Sequence, residues 1–182
     1  NIKVVGNNIY VSGWARFPRA SAMIWINGVP TRLNSEDYLS YASGVSVVGN
    51  DVYVSGWSVD SSGTTGKALY WKNGVQYTLT PPGVNGAATD VFTDGNDIYF
   101  SGDMYTPDSL YTPVYWKNGI VTTLGDYNTS NAASSIFVKN GDVYVAGKYG
   151  NKENHRAVYW KNGNKVELPA DSTSYAQSIF VK

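Results

Sequence analysis

The sequence contains no cysteine, so disulfides, thiolate nucleophiles and cysteine metal sites are excluded. It holds a single histidine, His155, between Asn154 and Arg156, where a solvated loop position is expected rather than a catalytic base. No nucleophile can be paired with it. There is no excess of either charge: 14 Lys plus Arg balance 14 Asp plus Glu. A nucleic-acid partner is not expected, because that binding rests on phosphate neutralisation. No apolar run is long enough to span a bilayer, and Asn1 opens no signal-peptide pattern, a feature a mature secreted chain would share. Glutamate is scarce and nothing reads as helix. No phosphate loop, zinc spacing or dinucleotide fingerprint is present, and no cofactor is expected.

What is abundant is Tyr (15), Trp (6) and Gly (19), in 182 residues, enough for one domain. Aromatics favour strands and glycine favours turns. These residues recur in order. Tyr-Trp-Lys-Asn-Gly stands at 70–74, 115–119 and 159–163, with Ile24-Trp25-Ile26-Asn27-Gly28 as a first version. A second phrase, Asn50-Asp51-Val52-Tyr53-Val54-Ser55-Gly56, has copies at 7–13, 96–102 and 141–147. The Trp markers Trp25, Trp71, Trp116 and Trp160 give a period near 45 residues. Four short strands per period is the pattern of a propeller blade.

The expected fold is an all-β propeller of four four-stranded antiparallel blades. The blades span about 1–43, 44–89, 90–134 and 135–177. Strand A covers Ile2–Val5, Val45–Val48, Val91–Thr93 and Ile136–Val138, and strand B covers Ile9–Ser12, Val52–Ser55, Ile98–Ser101 and Val143–Ala146. Strand C ends in the Trp phrase. Asn-Gly then turns into strand D as a type I′ hairpin, which needs positive φ at both residues. Residues Ser178–Lys182 copy Ser135–Lys139 and read as a fifth strand A. That extra strand implies competition with Asn1–Val5 for one place, and so a closed ring, a larger ring or a homo-oligomer built through the terminal strands.

The four repeated Trp residues read as core, each worth about 5 kcal/mol gross for roughly 200 Å² buried. Asp51, Asp97 and Asp142 coexist with Lys72, Lys117 and Lys161, and both partners are lost together in the first repeat as Asn8 and Ile26. Three ion pairs are predicted. The run Asp94-Gly95-Asn96-Asp97 is a hairpin turn, since it lacks the spacing and terminal Glu of a calcium loop. Asn128-Thr129-Ser130 matches a glycosylation sequon.

Function must come from what differs between repeats. The B–C segments and the D–A segments (Asn34–Ser43, Thr80–Thr89, Gly125–Ser134, Pro169–Gln177) vary, and both fall on one face. Variable loops on a rigid scaffold are where binding usually resides. They carry Trp14 and Trp57, each just after a strand-B glycine, with Asp103 and Lys148 in the corresponding places of the other repeats. Tyr41, Tyr105, Tyr127, Tyr149, Tyr175 and Asn128 join them. Aromatic rings beside short polar acceptors suit a sugar, the ring covering its apolar face and the acceptors taking hydroxyls. Candidate ligand-binding residues are Trp14, Trp57, Asp103, Tyr105, Tyr127, Asn128, Tyr149 and Tyr175. No catalytic or metal-binding residue is assigned.

The two repeated phrases resemble the repeat units of bacterial β-propeller proteins, and the resemblance covers essentially the whole chain. It implies the propeller fold and a secreted or cell-surface location. It does not imply one activity, because propellers host many. Four blades match the size class of hemopexin-like domains, whose customary disulfide this chain cannot form. The expected function is a non-enzymatic module binding a glycan or a protein. The alternative is a structural or engineered repeat scaffold without a small-molecule ligand.

Overall fold

A computed structural model describes residues 1–33, 39–63, 65–106, 110–126, 131–151 and 153–182. Among them are sixteen strands and no helix. The first sheet contains β1 (Ile2–Val5), β2 (Asn8–Phe17), β3 (Arg19–Ile26) and β4 (Val29–Arg32). The second contains β5 (Leu39–Val48), β6 (Asp51–Val59), β7 (Gly66–Lys72) and β8 (Val75–Thr78). The third contains β9 (Asn85–Asp94), β10 (Asp97–Tyr105), β11 (Tyr111–Lys117) and β12 (Ile120–Thr123). The fourth contains β13 (Ala132–Lys139), β14 (Asp142–Gly150), β15 (His155–Lys161) and β16 (Asn164–Glu167). Each is an antiparallel meander in chain order, and no sheet closes on itself.

The Asn-Gly hairpins form as the dipeptide demands. Asn27, Asn73, Asn118 and Asn162 have φ of 50–52°, and the following glycines 82–83°. Each of these Asn side chains also accepts the backbone N–H that opens the second strand of its own sheet, as Asn73 does from Val52 at 2.9 Å. The turn is therefore tied to a neighbouring strand as well as to its own.

The first and second strands run further than the repeated phrases suggest. The glycines at 56, 102 and 147 read as strand ends, but each lies inside a strand beside a β-bulge. A Cβ at Gly56 would sit 2.1 Å from the Tyr41 carbonyl oxygen and 2.8 Å from the Trp71 ring. Glycine is required there by close approach, a usual meaning of glycine within a strand. As a result, the first three expected D–A loops end in strand, from Leu39, Asn85 and Ala132 onward, whereas Pro169–Gln177 contains none.

The sheets stack in sequence, and the Trp of each later sheet faces the sheet before it. Trp71 packs with Ala22, Ile24 and Leu33 of the first sheet. Trp116 meets Tyr53, Ala68 and Leu79 of the second, and Trp160 meets Tyr99 and Leu124 of the third. All three indoles are fully buried. Trp25, with no such preceding layer over it, is only half-buried.

The first strands converge. Equivalent positions in the four repeats are Asn1, Gly44, Asp90 and Ser135, and they meet at one point. Asp90 accepts from Ser135 Oγ at 2.9 Å, Ile136 N at 3.2 Å and Asn1 Nδ2 at 3.3 Å. A Cβ on Gly44 would lie 2.8 Å from the same carboxylate. Burial pushes the Asp90 carboxyl above its ordinary range, partly opposed by the Ser135 hydroxyl and two backbone N–H groups.

Residues Ser178–Lys182 do not form the expected fifth strand A. A strand needs a hydrogen-bonded neighbour, and among the described residues no strand pairs with this segment. The residues leading into it dock on the fourth sheet, where Ser174 Oγ accepts from Ala157 N at 3.0 Å, and within it the Phe180 ring meets Phe137 at 5.2 Å. The first contact repeats the one that seats β5 on the first sheet, where Ser40 Oγ accepts from Ala22 N at 3.0 Å.

Candidate functional site

The predicted ion pairs are present at the turn end of the sheets. Lys72 Nζ lies 2.7 Å from Asp51, and Lys117 and Lys161 lie 2.8 Å from Asp97 and Asp142. The same carboxylates accept from the turn residues Asn73, Asn118 and Asn162 at 2.7–2.8 Å. In the first sheet Asn8 accepts from Asn27 at 2.8 Å, so the network survives there without charge. The Lys partners, then the Asn donors, hold the three carboxyls below their ordinary range. Asp97 accordingly belongs to this network, as the turn reading requires.

The opposite end carries the sequence-derived candidates, though not in loops. Trp14 lies in β2, Trp57 in β6, Asp103 and Tyr105 in β10 and Tyr149 in β14. Trp14, Trp57, Asp103 and Lys148 each follow an equivalently placed glycine. Trp57 is directly across from Tyr41 of β5. Those two rings stack with centroids 4.3 Å apart and 19° between planes. Trp14 reaches over from the first sheet and meets Tyr41 edge-on at 5.6 Å. Trp14 is 55% exposed, whereas Trp71, Trp116 and Trp160 are at 0%.

This ladder borders a hollow of about 370 Å³ whose walls include Trp14, Arg16, Pro18, Arg19, Leu39 and Tyr41. The Arg16 Nε donates to the Pro18 carbonyl at 3.3 Å, which orients the guanidinium over the β2–β3 turn. The hollow thus offers aromatic rings, guanidinium donors and a Leu surface. That set can cover an apolar sugar face or a side chain while bonding hydroxyls or carbonyls.

The remaining candidates do not join this hollow. Asp103 is buried, and its Oδ1 accepts from Ala133 N of β13 at 2.9 Å, linking the third sheet to the fourth. Burial pushes its carboxyl up to about 7, against the opposing effects of the Ala133 N–H and Lys148. It is a sheet-joining group and not a hydroxyl acceptor on an open face. Tyr105 packs against Tyr111 at 5.3 Å. Tyr149 lies under Lys165, whose Nζ is 3.5 Å from the ring centroid. Tyr175 is 45% exposed, with Lys148 Nζ 5.9 Å from its centroid. Tyr127 and the sequon Asn128-Thr129-Ser130 lie outside the described residues.

One further expectation is corrected. His155 begins β15 and is half-buried, not a solvated loop residue, because β15 starts one residue after Asn154 and pairs His155 with Gly150. Arg16 and Leu39 were absent from the sequence-derived set. Leu39 and Tyr41 share a face at period two with their strand, a signal hidden by the bulge at 42–45. A scan against protein-family models and a comparison with curated proteins both found no match.

Proposed function

We propose that the chain is a non-enzymatic binding module of β-propeller type that engages a glycan or protein ligand at the Trp14–Tyr41–Trp57 ladder. The observation that carries this reading is the exposure of Trp14. Its counterparts after the equivalent glycines, Trp57, Asp103 and Lys148, are half-buried or buried, yet this ring stands 55% exposed beside a hollow of about 370 Å³. An exposed indole next to tyrosine and arginine is the composition of an anchor, since such residues dominate binding energetics. The propeller arrangement is supported by the meeting of Asn1, Gly44, Asp90 and Ser135, as expected when the first strands of successive blades surround an axis. A secreted or cell-surface setting and self-association through the terminal repeats belong to the same reading.

A glycan array probed with the unaltered protein, Trp14→Ala and Arg16→Ala is the test. Specific binding that falls at least about tenfold in Trp14→Ala, the effect of losing roughly 1.4 kcal/mol, supports the module. Silence across the array and in a matching screen of peptides sinks it. The second reading, a structural scaffold without a ligand, draws on the Tyr41–Trp57 stack, in which each ring already covers one face of the other.

A further inference from the structure

We infer that the uncovered face of the first sheet is a docking surface for the fourth sheet of a second copy of this chain, joined head to tail. The proposal rests on the stacking of successive sheets and not on the ligand reading. The front faces of the second, third and fourth sheets bury Val45, Val91 and Ile136 almost completely, at 4%, 5% and 2% exposed. Their counterpart on the first sheet is Ile2, at 62%, with Val4 at 60% and Ile9 at 45% beside it and Trp25 half-buried. An apolar patch of this kind on a sheet face marks an interaction surface.

The occupant is indicated by what covers the same face elsewhere in the chain. Each front face packs on a preceding back face in which Tyr and Leu recur: Tyr53, Ala68 and Leu79 of the second sheet are an example, and Pro113 takes the place of Ala68 in the third. The fourth sheet presents the same set as Tyr144, Ala157 and Leu168. Leu168 is 37% exposed, whereas Leu33, Leu79 and Leu124 are at 2%, 8% and 6%. The molecule thus shows one front face and one back face of matching composition, each incompletely covered.

The strands are complementary too. In the second sheet Leu39–Ala42 of β5 pair with Gly56–Val59 of β6. In the first sheet β1 pairs with β2 only as far as Val11, and among the described residues no strand pairs with Gly13–Phe17 on the first-strand side. Residues Thr173–Ala176 repeat Leu39–Ala42 in position and already sit on the fourth sheet through Ser174. In the register that sets Tyr41 opposite Trp57, Tyr175 of one copy falls opposite Trp14 of the next. It would extend the aromatic ladder by one ring. A contact between two different surfaces is heterologous and repeats until it closes.

The absence of cysteine makes a direct test available. Light scattering across a concentration range should give a mass of two copies or more for the unaltered chain. Ile2→Asp/Val4→Asp, at exposed positions, should reduce it to one copy with an unchanged circular dichroism spectrum. Under mild oxidation, Trp14→Cys/Tyr175→Cys should give covalent bands at twice the chain mass or more. A one-copy mass at every concentration overturns the proposal. So does a disulfide formed within a single chain, which would mean that the first and fourth sheets close on each other. Glycan-array silence, by contrast, bears only on the ligand reading.

Discussion

Two kinds of aspartate in this protein respond to pH in opposite directions. Asp51, Asp97 and Asp142 sit beside lysines that hold their carboxyls below the ordinary value of 3.8. Their stabilising contribution is present above that value and disappears as pH falls through the folded value. Asp103 is the reverse: its unfolded value is 3.8 and its folded value about 7. Between those limits the folded protein keeps a proton that the unfolded chain releases, so stability declines as pH rises through the interval and then levels. Each unit of difference is worth about 1.4 kcal/mol. Asp103→Asn keeps a carbonyl oxygen for the Ala133 N–H without the buried charge. It should therefore raise stability at pH 8 and flatten the decline between pH 4 and 7, as read from urea midpoints across pH. An unchanged profile would show that Asp103 titrates alike in the folded and unfolded chain, and that burial does not raise it.

At the scale of elements, glycine has two distinct tasks, and substitution separates them. Gly74 has φ +82° with open space around its missing Cβ, so Gly74→Ala carries only left-handed strain, about 1–2 kcal/mol. Gly56→Ala drives a Cβ into the Tyr41 carbonyl and the Trp71 ring and should cost more, with overpacking alone typically about 1–3 kcal/mol. Equal urea midpoints for the two variants would contradict the close-approach account. This contrast also marks what could be read from the sequence. Asn-Gly turns, strand pairing within each repeat and the Asp–Lys pairs were legible, because each depends on residues at short, repeated spacing. The bulges were not. A bulge shifts the period-two alternation, so Tyr41 and Leu39 looked like loop residues and Gly56 like a strand end. Asp103 was misread for another reason: its place matches exposed Trp14, but which repeat positions face a neighbouring sheet is set by stacking and not by local pattern.

For the whole molecule, the stacking order sets a gradient of stability. When each repeat contacts only its neighbours, stability is a sum of repeat and interface contributions. The second and third sheets have both faces covered, while the first lacks a layer over Trp25, and the fourth is covered behind only by residues 174–180. Truncating a buried aromatic costs about 3–5 kcal/mol. Trp71→Ala and Trp116→Ala should fall in that range, and Trp25→Ala and Trp57→Ala should cost clearly less, because those two rings are only half-buried. Hydrogen exchange should follow the same order at low protein concentration. Amides of β6 and β10 should be the most protected, and those of β1 and β2 should open first, as expected for sub-global unfolding units. Raising the concentration into the associating range should selectively slow exchange in β1 and β2, since a second copy would cover that face. Uniform protection across the four sheets at low concentration would show that they unfold as one unit, and the gradient would be wrong.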